Sequence, residues 1–197
     1  MPDWSVVVPV KGTAAAKSRF GGPEAQRLAL ARAMALDTVE AALAAPGVAG
    51  VIVVTGASFA QDFTDLGATV VDDTAADLRG AIALGLANTP PALGSAVLLG
   101  DIPALDPREL GAALAAAASH PLALVADADG SGTVLATALP GVAHIIGFGP
   151  GSRAAHLASG YAELAEPWPS LRRDVDTAEH LAGLASLGPR TTALLGG

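Results

Sequence analysis

Short apolar runs alternate with longer amphipathic stretches through the first half of the chain, and this alternation predicts most of the fold. Residues 4–10 read as a strand whose three consecutive valines suit a sheet covered on both faces. Pro9 near its end fits a strand about to leave the sheet. Residues 23–45 predict a long helix, with Leu28, Ala31, Ala35, Val39 and Leu43 on one stripe and Arg27 and Arg32 off it. Strands are expected at 51–55 and 68–71, and helices at 59–66 and 77–87. The run Val97-Leu98-Leu99-Gly100-Asp101 then reads as a buried strand with a carboxylate at its carboxyl tip. Pro103 ends that ladder, and Asp106-Pro107 supplies a cap and a first-turn proline for a helix at 109–118. Strand and helix alternating in this way define an α/β, three-layer, doubly wound and mainly parallel sheet with right-handed crossovers.

The pattern changes after this helix. A strand at 122–126 is followed by the turn Asp127-Ala128-Asp129-Gly130-Ser131-Gly132-Thr133, an apolar run at 134–139 and a short strand at 144–148. Strands so closely spaced predict antiparallel additions at the edge of the parallel core. Gly149-Pro150-Gly151-Ser152 leads into a helix over 153–160, and a last helix is expected at 178–185. Without a repeat or a low-complexity linker, residues 1–197 read as one domain.

Composition narrows the function. Hydrophobic residues make up 51% of the chain and charged ones 15%, which excludes disorder, while aromatics at 4% leave the core to Ala, Val, Leu and Ile. A net charge of −8 argues against a nucleic-acid partner. The lack of cysteine excludes disulfides, thiol catalysis and Cys-based metal sites. With no basic, apolar leader and no run of about 18 apolar residues, the chain reads as soluble and cytoplasmic, without a membrane partner.

Against this acidic background, the loop after the first strand holds both lysines, Lys11 and Lys17, with Arg19 beside them. That cluster suits nucleotide phosphates, although it matches neither the GxxxxGK[ST] nor the GxGxxG pattern; the alternative is a solvated loop. Asp127 to Gly132 imitates a calcium loop, but the position that needs a glutamate is Ala138. The segment reads either as a plain hairpin turn or as a glycine turn whose amides, with the Thr133 hydroxyl, face an anion. Ser152 can cap the helix that follows it, and the free amides there offer a second anion site. In Leu171-Arg172-Arg173-Asp174-Val175-Asp176-Thr177, aspartates at i and i+2 share a side if the segment is extended, and either Asp176 or Thr177 can cap the next helix. Asp101, Asp174 and Asp176 together make an all-oxygen site suited to Mg2+. His120, His144, His156 and His180 show no ligand spacing and read as surface or packing residues.

The segments VPVKGTAAAKSRF, LLGDIPALDPREL, DADGSGT, FGPGSRAAHLASG and LRRDVDTAEHL, spread over residues 6–181, resemble the 2-phospho-L-lactate or phosphoenolpyruvate guanylyltransferases of coenzyme F-420 biosynthesis. The resemblance implies a MobA-like fold of the nucleotide-diphospho-sugar transferase type. It also implies a reaction in which GTP and a phosphorylated three-carbon acid give a guanosine-diphosphate-linked acid and pyrophosphate. By matching motif, Asp101, Asp174 and Asp176 would hold magnesium, Thr133, Gly149 and Ser152 the acid, and Lys11 and Lys17 the nucleotide phosphates, with Arg19 beside them. Asp101, Lys11 and Lys17 would be the catalytic groups. Where the family usually has a Gly-Leu-Asn-Ala-type stretch, this chain has Asp77-Leu78-Arg79-Gly80-Ala81; Gly80 would lie against the nucleotide, and the base pocket is where the chain departs. The rival readings are a nucleotidyltransferase with another base or phosphorylated acceptor and a non-catalytic nucleotide-binding regulator. In the enzyme reading the product passes to a downstream transferase.

Overall fold

The computed structural model describes residues 2–11, 20–75, 77–184 and 186–196. Its elements run β1 (Trp4–Val10), α1 (Glu24–Leu43), β2 (Val48–Thr55), α2 (Ala57–Asp65), β3 (Thr69–Asp72), α3 (Leu78–Leu86), β4 (Gly94–Leu98), α4 (Pro107–Ala117), β5 (Leu122–Ala126), β6 (Thr133–Ala138), α5 (Ser152–Ala158), β7 (Ala162–Glu163), α6 (Ala178–Ala182) and α7 (Pro189–Leu195). One sheet carries the strands in the order β3-β2-β1-β4-β6-β5-β7. β1 pairs in parallel with β2 and β4, aligning Val7 with Ile52 and Val97. β4 pairs with β1 only over Trp4–Val7, so Pro9 falls where that side of β1 has already lost its neighbour.

Alternation along β1 makes the three layers. Val6 and Val8 enter the core with Ala35 and Val39 of α1, Phe63 of α2 and Leu110 and Leu114 of α4. Val7 points the other way, into a second cluster with Ala81 and Ile82 of α3, Phe148 and Tyr161. A strand covered on both faces has no polar side, which is why it appears in the sequence as an unbroken valine run.

Two expectations for the second half are corrected. The antiparallel strand is not at the edge: β6 lies between β4 and β5 and is antiparallel to both. The connection from β5 to β6 spans only 127–132, too short for a crossover, so β6 returns as a hairpin arm and takes the place beside β4. Residues 144–148 form no strand. Their groups are satisfied by side chains instead, with Ile145 N–H donating to Tyr161 Oη at 3.1 Å. The strand pairing with β5 on its other side is the short β7, in parallel register. Neither β7 nor α7 is signalled by the hydrophobic pattern. α7 is held by Asp37, a buried carboxylate of α1 that accepts the Arg190 and Thr191 amides at 3.1 and 2.8 Å.

His144 packs beneath this irregular segment, its Nε2 3.0 Å from Ser95 Oγ and its Nδ1 3.1 Å from Tyr161 Oη. Burial pushes its pKa down from 6.5 to about 4. On acidification the unfolded chain takes up this proton first, so the contribution of His144 to stability is complete above pH ~6.5 and is lost towards pH ~4. Urea denaturation of wild type and His144→Gln between pH 7.5 and 4.5 is expected to show the wild type losing about 2 kcal/mol relative to the variant. The difference is the informative quantity, because Asp174, with its raised pKa, acts in the opposite sense over the same range. Parallel curves would contradict the assignment.

Candidate functional site

A cleft of about 680 Å3 opens over the carboxyl ends of β1 and β4, with Pro9, Val10 and Lys11 on one side and Leu99, Gly100 and Asp101 on another. This is where ligands bind in open α/β sheets, since the strands end there and the loops diverge. The turn after β5 and the segment 148–152 form further parts of its wall.

The loop carrying Asp101 is held at three successive residues. The Asp101 carbonyl accepts the Val175 amide at 2.9 Å, the Ile102 amide donates to Thr38 Oγ1 at 3.0 Å, and the Pro103 carbonyl accepts the Gly188 amide at 2.7 Å. The segment 171–176 is fastened in turn on its other side, where the Arg172 carbonyl accepts the Ala128 amide at 2.7 Å. Val175 is fully buried with Leu30, Met34 and Leu181, while Asp174 and Asp176 on either side of it line the cleft. The i, i+2 pair thus faces the same way, as an extended segment requires. One carboxylate oxygen each from Asp101, Asp174 and Asp176 lies within 4.8 Å of the others. Burial, then the charges of Asp101, Asp176 and Asp127, push the Asp174 pKa up from 3.8 to about 7. Hard oxygen donors whose mutual repulsion shows in a raised pKa fit a small divalent cation, which would offset that repulsion.

Lys11, Thr133, Gly149 and Ser152 all line the same cleft; Lys17 and Arg19 lie outside the described residues. Gly80 sits in the first turn of α3 with its amide taken by Asp77 Oδ1 at 2.8 Å, and it is Leu78 of that turn that lines the cleft. Arg79 Nε donates to the Phe148 carbonyl at 3.1 Å, bracing the 148–152 wall.

Two readings of local chemistry are corrected. The amides of the glycine turn do not face an anionic ligand: Ser131 and Gly132 donate to Asp127 Oδ1 and Oδ2 at 2.9 and 2.7 Å, and Gly130 donates to the Asp127 carbonyl. Asp127 is therefore the residue that shapes this turn, and its D-x-D-G pattern was the available signal. Ser152 does not cap α5; Gly151, at φ 71°, is the cap residue, and Ser152 is the first helical residue, 2% exposed. The left-handed cap conformation is one that glycine alone adopts without strain. Thr177 caps α6 by accepting the His180 amide at 3.2 Å.

A layered sheet with a carboxylate triad and a lysine over its strand ends suits a nucleotide-handling transferase, and the match in sequence gives that class: residues 14–182 match the MobA-like NTP transferase domain, and the chain belongs to that family. A protein from Desulfovibrio desulfuricans G20, provisionally named a nucleotide-diphospho-sugar transferase, superposes with a TM-score of 0.75 at 17% identity, over 99% of this chain and 94% of that one. Rv0371c from Mycobacterium tuberculosis H37Rv, in complex with manganese, superposes with a TM-score of 0.60 at 21% identity, over 92% of this chain and 96% of that one. Within the family the chain belongs with the phosphoenolpyruvate guanylyltransferases: the protein of that name from Salinispora arenicola (strain CNS-205) is 51% identical over 98% of this chain and 94% of its own length. Among the described residues, no helix is long and apolar enough to cross a membrane.

Proposed function

We propose that this protein transfers the guanylyl group of GTP to phosphoenolpyruvate, giving the guanosine-diphosphate-linked acid and pyrophosphate, for the biosynthesis of coenzyme F-420. The observation that carries this reading is the near full-length match to a relative of that name, on a chain whose cleft holds the matching motifs together. In the reaction a phosphate oxygen of the acid forms a bond to the α-phosphorus of GTP while the bond to the bridging oxygen of the β-phosphate breaks, and pyrophosphate leaves. The attacking phosphate is largely ionised at neutral pH, its second pKa being about 6, so no general base is required. The difficulty is to bring two polyanions together in a cleft of an acidic protein.

Asp101, Asp174 and Asp176 would hold Mg2+, which when bound supplies positive charge at the reacting phosphates. The manganese complex of Rv0371c supports a divalent cation on this fold. Lys11, exposed at the end of β1, would meet the nucleotide phosphates together with Lys17 and Arg19. Thr133, Gly149 and Ser152 would hold the acid, and the α3 turn with Leu78, Arg79 and Gly80 would approach the base. The product would pass to a downstream transferase, and 1–197 would act as one domain.

Pyrophosphate release with GTP and Mg2+ is expected on addition of phosphoenolpyruvate and not without it. Release only with 2-phospho-L-lactate or 3-phosphoglycerate would change the acceptor. Release only with CTP or ATP would change the base, and silence with every pair would leave a nucleotide-binding regulator.

A further inference from the structure

The wall of the cleft that carries Thr133 is backed by a histidine that the chemistry above does not use. His156 on α5 is fully buried, packed edge-on to Phe148 at 5.0 Å and against Tyr161 at 4.8 Å between ring centroids. Its Nε2 accepts the Gly147 amide at 3.1 Å, and its Nδ1 lies 3.0 Å from Thr133 Oγ1. A backbone N–H can only donate, so Nε2 carries no proton. A neutral imidazole then has its proton on Nδ1. Burial, then the charge of Arg79, outweigh the Ser152 carbonyl and hold the ring's pKa below its usual value, which keeps it neutral at neutral pH. Nδ1–H faces Thr133 Oγ1 at 3.0 Å, with the Ser152 carbonyl as its other acceptor, so at this contact the ring donates and Thr133 accepts. With its oxygen engaged as acceptor from behind, the hydroxyl retains its single hydrogen for another partner, and Thr133 lines the cleft.

We propose that His156 is a positioning residue that makes the Thr133 hydroxyl a hydrogen-bond donor to an anionic oxygen of the acid substrate, an inference that rests on the guanylyltransferase reading above. The relay has one direction: the Gly147 amide donates to His156, His156 to Thr133, and Thr133 to the substrate. A donor oriented in advance by a buried neutral network recognises an anion without reorganising when it binds. Gly147 permits the approach, since a Cβ there would stand 3.1 Å from the imidazole Nε2.

The tautomer can be read in the wild-type protein from imidazole 1H–15N correlation spectra. A protonated Nδ1 and a bare Nε2 are expected; an Nε2-protonated ring overturns the proposal. Kinetics then separate the two bonds of the ring. His156→Asn can place an amide N–H near the place of Nδ1, whereas the longer His156→Gln carries its amide out to the place of Nε2 and leaves the place of Nδ1 empty. His156→Gln is expected to raise KM for the phospho-acid about tenfold or more, the range for losing a hydrogen bond to a charged group. It should leave KM for GTP within about twofold, and His156→Asn should restore most of the loss. Thr133→Val is expected to match His156→Gln, and the double variant to be no worse than Thr133→Val alone. Equal rises in both KM values, or an unchanged acid KM in Thr133→Val, would overturn the proposal. The valine variant conserves side-chain size and keeps the test decisive if the His156 variants fail to fold. Wild-type protein that releases no pyrophosphate with any of the acids removes the guanylyltransferase reading, and this proposal with it, whatever the tautomer.

Discussion

Asp101→Asn is expected to lower divalent-dependent turnover by about a thousandfold, the scale on which charge stabilisation at a reacting centre is lost when one of its groups is removed. The fold should survive. The Asp101 backbone carbonyl, which accepts the Val175 amide at 2.9 Å, fastens the site, and a side-chain substitution leaves that bond in place. The metal-free variant should also be at least as stable as wild type, because it removes a negative charge that bears on Asp174. The test is kcat/KM at saturating Mg2+ beside thermal denaturation in EDTA. Activity near the wild-type level would remove Asp101 from the metal site, and a collapse of stability in EDTA would make its role structural.

Glu109→Ala should damage the site from a distance. Glu109 Oε2 accepts three hydrogen bonds from the turn ahead of Arg172, from Ser170 N at 2.8 Å, Ser170 Oγ at 2.6 Å and Leu171 N at 3.1 Å. That turn leads directly into the segment presenting Asp174 and Asp176, so losing the carboxylate frees three donors and loosens two of the three proposed ligands. A destabilisation of about 2–3 kcal/mol is expected, together with a tenfold or greater weakening of Mg2+ affinity. Urea denaturation in EDTA measures the first and metal titration the second. Full metal affinity at reduced stability would show that the aspartate pair is held by Val175 and its neighbours alone.

The first half of the fold was legible because each of its elements is short in sequence range and marked by its own pattern: the valine run of β1, the apolar stripe of α1, and the Asp106-Pro107 start of α4, where the Asp106 side chain accepts the Arg108 amide at 2.8 Å. The carboxylate triad was legible for a related reason. Asp101 follows a strand end, and Asp174 and Asp176 sit at a spacing that an extended chain turns to one side. The second half resisted the same treatment. Residues 144–148 have the apolar character of a strand, but Tyr161 and His156 take up the Ile145 and Gly147 amides from distant positions. α7 carries little pattern of its own and depends on Asp37, more than 150 residues earlier, whose carboxylate gives no sign in the sequence that it will be buried as a cap.

The sequence by itself determined the layered α/β class, the central strand and the residue types that meet at its end, because hydrophobic periodicity and caps act over a few residues. The tertiary structure decided the rest: that β6 lies between β4 and β5, that the Asp127 carboxylate and not a ligand fills the glycine turn, and that His156 stands behind Thr133. Each of these depends on which hydrogen-bond partner a buried polar group finds, and those partners are brought together by the closing of the sheet rather than by neighbours along the chain.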